Sequence, residues 1–246
     1  MKKPDMIIFD YGHTLVYEPV FDCASGFRAV LSLCTVNPRQ VTAEDLSEQY
    51  ATALARLTES SRAAECDFMD MAVKRMIYDT LGLRFSAEPI KLERCFWDAA
   101  GPGTPMPGIH GLLSELKRRG IRTGVLSNMN FREENVRSRI DRLLPENAFE
   151  FVLCSCEYAT RKPREDFFRL ALAKAGLQAS QVWYCGDNPR CDVLGAYASG
   201  ICPVWYDNEN GSPYQSERDR VSIGIPCLHI REWNELIDAL DAAKPA

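Results

Sequence analysis

Asp10 closes the apolar run in KPDMIIFD, and Thr14 follows four residues later in DYGHTLV. A carboxylate placed there can be a nucleophile, a metal ligand or a helix cap. Three further stretches carry comparable groups: Ser127-Asn128 after the run IRTGVLSN, Lys162-Pro163, and Gly186-Asp187 with Asp192 in GDNPRCD. Each has an ordinary account when taken singly. Ser-Asn after a strand makes a turn or an N-cap, Lys-Pro opens a helix, and GDNP is good loop chemistry.

The runs that carry these residues set their frame. MIIFD (6–10) is apolar and too short for a helix, so it reads as a buried strand ending at Asp10. The runs at 121–128, 149–155, 181–187 and 201–206 read the same way. Helical spacing appears between them, in 108–120, in 166–176 and through DVLGAYASG, with Gly120 and Gly176 as stops. Strands alternating with helices of about ten residues predict an α/β fold, a Rossmann-like three-layer core with a parallel sheet. In such sheets the ligand crevice lies beyond the carboxyl ends of the strands. Asp10, Ser127 and Asp187 all fall at such ends and are expected on one edge.

Between the first two strands the character changes. Leu46, Tyr50, Leu54 and Leu57, then Met69, Val73, Met76 and Ile77, then IKLERCFWDAA, give three helical patterns, and AAGPGTPMPG reads as a linker. The expected division is a core of 1–15 and 105–246 with a smaller all-helical cap of 16–104. DNENGSPYQSERD (207–219) reads as a polar loop. With 46% hydrophobic residues, 26% charged residues and a net charge of −5, the chain lacks a basic field for nucleic acid. The apolar run near the start is too short for a signal peptide or a membrane span, and no membrane association is expected. Ten cysteines without an export signal read as free thiols of a cytoplasmic protein, and Asn210-Gly211-Ser212 as a polar turn. Cys154, Cys156, Cys185 and Cys191 lack zinc-like spacing.

The order of Asp10, Thr14, Ser127-Asn128, Lys162-Pro163, Gly186-Asp187 and Asp192 resembles the haloacid dehalogenase-like hydrolases with a helical cap inserted after the first motif. The resemblance covers the whole chain. It implies that Asp10 is the nucleophile and forms an aspartyl-phosphate, catalysed with Lys162 and Ser127. Asp10, the Gly12 backbone carbonyl and Asp187 would hold Mg²⁺, and Asp192 would orient the metal's waters or Lys162. Ser127, Asn128, Lys162 and Thr14 would bind the substrate, a small phosphorylated metabolite, with Thr14 supporting the turn after Asp10. The phosphatases of this group carry a second aspartate where this chain has Gly12, and that aspartate moves protons. His13 is a possible substitute acid/base, with Glu18 and Asp22 further candidates. Arg28 and Arg62 could meet an anionic substrate tail. Two alternatives stay open: a non-phosphatase hydrolase, whether a dehalogenase or a phosphonatase using Lys74 or Lys91, and a non-catalytic phosphoryl-ligand binding protein.

Overall fold

The computed structural model describes residues 2–208 and 221–244. Most of the expected polar loop, with the Asn210 sequon, lies outside the described residues. Six parallel strands form the main sheet in the order β10-β9-β8-β1-β6-β7. They are β1 (Met6–Phe9), β6 (Arg122–Ser127), β7 (Phe149–Cys154), β8 (Val182–Gly186), β9 (Cys202–Tyr206) and β10 (Leu228–Ile230). The five expected strands are all present. β10 was not anticipated, because LHI is too short to stand out from the coil around it.

Alternation along the strands builds two apolar layers. Ile7, Phe9, Val125, Val152, Trp183 and Val204 face one side. There they meet α5 (Ile109–Arg118), α6 (Glu133–Leu143) and α9 (Trp233–Ala242). Met6, Ile8, Leu126, Leu153, Val182 and Tyr184 face the other. They meet α7 (Glu165–Ala175) and α8 (Gly195–Ala198). This is the three-layer arrangement. Gly176 ends α7 at φ 66°, a left-handed position that favours glycine. The helix expected through DVLGAYASG starts earlier, as a π-helical turn over Pro189–Leu194 that α8 continues.

The chain leaves the core at β2 (Val16–Tyr17) and returns at β5 (Thr104–Pro105), and these two strands pair antiparallel. Between them stand α1 (Cys23–Leu31), α2 (Ala43–Ala64), α3 (Asp70–Leu81) and α4 (Pro89–Ala100). The short antiparallel pair β3 (Cys34–Val36) and β4 (Arg84–Phe85) lies among them. α1 escaped the sequence reading. Gly26 weakens its helical signal, and there α4 approaches so closely that a Cβ would lie 2.7 Å from the Phe96 ring. Among the described residues, no helix is long and apolar enough to cross a membrane.

Candidate active site

β1 lies between β6 and β8, where the strand order reverses direction, and a parallel sheet opens its crevice there. Phe9 is in register with Val125 on one side and Cys185 on the other. Asp10, one residue past Phe9, therefore leaves the sheet at the same edge as Ser127 and Asp187, each two residues past those partners. Its backbone N–H donates to the Cys185 carbonyl at 2.9 Å, which fixes where the side chain starts.

Lys162 is almost completely buried, and its ammonium is fully used. It donates to Asp10 Oδ1 at 2.7 Å, Asp192 Oδ1 at 2.6 Å and the Tyr184 hydroxyl at 2.6 Å. Burial alone would pull a lysine pKa down, but the Asp10 and Asp192 carboxylates hold it raised. Burial also pushes the Asp192 carboxyl up, against the pull of Lys162. Tyr184 passes the chain of bonds on to the Leu126 carbonyl at 2.8 Å. The Asn128 carboxamide receives the Lys162 N–H at 2.7 Å and donates to its carbonyl at 3.0 Å. The Asn128 side chain thus positions the lysine, while Asn128 also lines the cavity described below.

Asp10, Asp187 and Asp192 each place a carboxylate oxygen within 4.8 Å of the others. Asp192 has both oxygens engaged, Oδ1 by Lys162 and Oδ2 by the Asn188 N–H at 2.8 Å. It reaches them by folding back over Gly186, where a Cβ would lie 2.4 Å from Asp192 Cγ. That close approach requires glycine. Asp10 and Asp187 are then the carboxylates that suit a metal. An all-oxygen donor set with two carboxylates is what a hard divalent cation such as Mg²⁺ prefers.

A cavity of about 410 Å³ opens over these groups. Asp10, Gly12, His13, Ser127, Lys162, Asp187 and Asp192 line its floor. Thr14 does not line it. Its hydroxyl is buried without a hydrogen-bond partner, and the turn after Asp10 closes instead through backbone bonds from Leu15 and Val16 to the Tyr11 carbonyl. The roles expected for Thr14 are corrected accordingly. A Cβ on Gly12 would meet no heavy atom within 4 Å, so an open space stands where a side chain would reach into the cavity.

The other acid/base candidates separate. His13 is buried in the cavity wall with φ at 56°, a left-handed position that few side chains adopt but in which His, like Asn and Asp, is enriched. Burial lowers its pKa, against the opposing pull of Asp10. Glu18 also lines the cavity, but it accepts from Trp97 Nε1 at 2.7 Å and Arg139 at 2.9 Å. Asp22 caps α1 by accepting from the Ala24 N–H at 3.0 Å, and it does not line the cavity. Of the two arginines considered for a substrate tail, Arg62 lines the cavity, whereas Arg28 pairs with Glu44 at the exposed surface. Lys74 is buried against Asp70, with its ammonium 3.5 Å from the centroid of the Phe96 ring. Lys91 is exposed, and neither lysine lines the cavity.

Some participants gave little signal in the sequence. Tyr184 sits in a strand that reads as pure core, and the one cue is that a buried tyrosine hydroxyl needs a partner. Asp67, between α2 and α3, accepts from Ser155 at 2.6 Å, Arg161 at 2.8 Å and Ser61 at 2.9 Å. It ties the inserted helices to the loop before Lys162, and in the sequence it looks like any surface acid.

A family model described as haloacid dehalogenase-like hydrolase matches residues 4–200. The pyrimidine 5'-nucleotidase YjjG of Escherichia coli (strain K12) is 27% identical over 205 residues, 82% of this chain and 86% of its own length. The phosphoserine phosphatase of Thermus thermophilus is 33% identical over 101 residues, covering 41% of this chain and 40% of that one. Among solved structures, a HAD phosphatase from Thermococcus onnurineus superposes with a TM-score of 0.64 at 16% identity, covering 99% of both chains. A 2-haloacid dehalogenase from Pseudomonas syringae does so with a TM-score of 0.60 at 21% identity, covering 98% of this chain and 99% of that one. At such identities these structures speak to the fold alone.

Proposed function

The chain belongs to the haloacid dehalogenase-like hydrolase family, and from that premise we propose that it is a Mg²⁺-dependent phosphatase of a small phosphorylated metabolite. The observation that carries this reading is the Lys162 ammonium seated 2.7 Å from Asp10 Oδ1 at a strand end, beside Asp187. Asp10, the Gly12 carbonyl and Asp187 would hold Mg²⁺, which when bound would supply positive charge to offset the negative charge of the phosphoryl oxygens.

The Asp10 carboxylate attacks phosphorus. The bond from phosphorus to the ester oxygen breaks, leaving an aspartyl-phosphate. Lys162 keeps Asp10 ionised and offsets the negative charge that gathers on the transferring group. Ser127 donates to a phosphoryl oxygen from the end of β6. His13 lines the same cavity as Gly12. Its imidazolium form, which Asp10 favours against the effect of burial, gives its proton to the leaving oxygen, and the neutral ring takes one back from the water in the next step. Water then cleaves the acyl phosphate, releasing phosphate and regenerating Asp10. Asp192 and Tyr184 hold Lys162 in place throughout. The ten cysteines, all free, suit the reducing interior of the cytoplasm.

One finding weighs against the phosphonatase reading. A lysine acting as a Schiff base would have to reach the cavity, which Lys74 and Lys91 do not. The test is phosphate release from a panel of monophosphates with and without Mg²⁺, run beside halide release from 2-haloacids. Mg²⁺-dependent phosphate release is expected. Its absence from every substrate, aryl phosphates included, overturns the reading, and metal-independent halide release replaces it with a dehalogenase.

A further inference from the structure

The cavity continues past the phosphoryl end into a wall contributed by the inserted helices. Phe21 precedes α1, Leu54 lies on α2, Phe68 lies between α2 and α3, and Tyr17 lies on β2. All four are half-buried, so each offers apolar surface to the space it lines. Two acids also border this part, and both are already satisfied within the protein. Asp67 is held by Ser61, Ser155 and Arg161, and Asp70 by Tyr50 and Lys74. The volume of about 410 Å³ falls within the usual range of about 300–1,000 Å³ for small-molecule sites.

We infer that this wall takes a flat, uncharged aromatic or heteroaromatic ring carried by the leaving group, which makes the substrate a monophosphate ester of the nucleoside or aryl class. The inference rests on the phosphatase reading and adds the class of alcohol released. An aromatic ring presents a sequence-tolerant stacking surface to any base. Internally neutralised carboxylates give a second phosphate or a carboxylate little to bind. Arg62 also lines the cavity, and a doubly anionic ester would report on it.

The experiment compares kcat/KM for uridine 5'-monophosphate and 4-nitrophenyl phosphate with that for glyceraldehyde 3-phosphate, phosphoserine and ribulose 1,5-bisphosphate. Wild-type protein and Phe68→Ala are assayed side by side. The ring-bearing esters are expected to lead by at least tenfold. Phe68→Ala is expected to shrink that preference by about 5- to 150-fold, equivalent to about 1–3 kcal/mol for one base stacked on an aromatic side chain. Equal rates for the aliphatic esters, or a preference for the bisphosphate, overturn the inference while leaving the phosphatase reading intact. Calorimetry on Asp10→Asn protein supplies a readout that needs no turnover. Uridine 5'-monophosphate is expected to bind at least tenfold more tightly than glyceraldehyde 3-phosphate, and more weakly to the protein that also carries Phe68→Ala. Equal binding of the two esters overturns the inference even where no phosphate is released.

Discussion

Replacing Lys162 with methionine removes the one ammonium that separates the Asp10 and Asp192 carboxylates. Its Nζ makes contacts of 2.7 and 2.6 Å to them and 2.6 Å to Tyr184, and all of these groups are buried. Removing one partner from a buried ion pair costs about 3–5 kcal/mol, because the partner charges stay behind in a poorly solvated place. Here two like charges stay behind, so the upper half of that range is expected. Domains of this kind have about 5–15 kcal/mol of stability in all. In urea, at a slope of about 3 kcal/mol/M, the midpoint should fall by roughly 1.3–1.7 M. Asp192→Asn in the same protein should recover part of the loss, since it removes one of the two stranded charges. Equilibrium unfolding followed by tryptophan fluorescence reads all three proteins. A midpoint shift below about 0.3 M for Lys162→Met, equivalent to about 1 kcal/mol or less at that slope, would refute the description of this lysine as a buried counterion.

Four other outcomes are expected. His13→Asn keeps a residue type that tolerates a positive φ, and should slow alkyl phosphate hydrolysis by about 10²–10⁴. Aryl phosphates, whose leaving oxygen needs no proton, should suffer much less, and equal losses on both would remove His13 from proton transfer. Gly12→Asp in the His13→Asn background should restore part of the alkyl phosphate rate, because a Cβ at position 12 meets nothing within 4 Å; a folded double variant no faster than His13→Asn contradicts this. Asp22→Ala should lower the melting temperature slightly by uncapping α1 and leave kcat unchanged, whereas a loss of kcat would return Asp22 to the acid/base candidates. Asp67→Asn should destabilise by about 1.5–3 kcal/mol, the scale of a hydrogen bond to a charged group. Urea unfolding checks it, and an unshifted midpoint would show that the tie to Arg161 contributes nothing.

The strands were legible because a parallel sheet covered on both faces demands short, continuously apolar runs, and MIIF, VLS and VWYCG are such runs. The strand ends then located Asp10, Ser127 and Asp187 without further information. Asn128, Thr14 and Tyr184 were harder to read, since their roles depend on contacts across the fold. Asn128 reaches a peptide 34 residues away, and Tyr184 meets Lys162 22 residues away. Local spacing holds no trace of such pairings. The inserted helices showed their periodicity, yet α1 was hidden because Gly26 is there for close packing against Phe96 and weakens the helical signal. Asp22 looked like a free acid near the site for a similar reason: a helix that is not anticipated leaves its N-cap unexplained.

The central claim is that Asp10 accepts a phosphoryl group. Rapid quenching of the protein during exposure to 4-nitrophenyl phosphate and Mg²⁺, followed by peptide mass spectrometry, tests it most directly. A phosphoryl group on the peptide at Asp10 is expected, lost when Mg²⁺ is withheld and missing in Asp10→Asn. Phosphate released with no modified Asp10 at any quench time, or a phosphoryl group carried by another residue, would contradict the account.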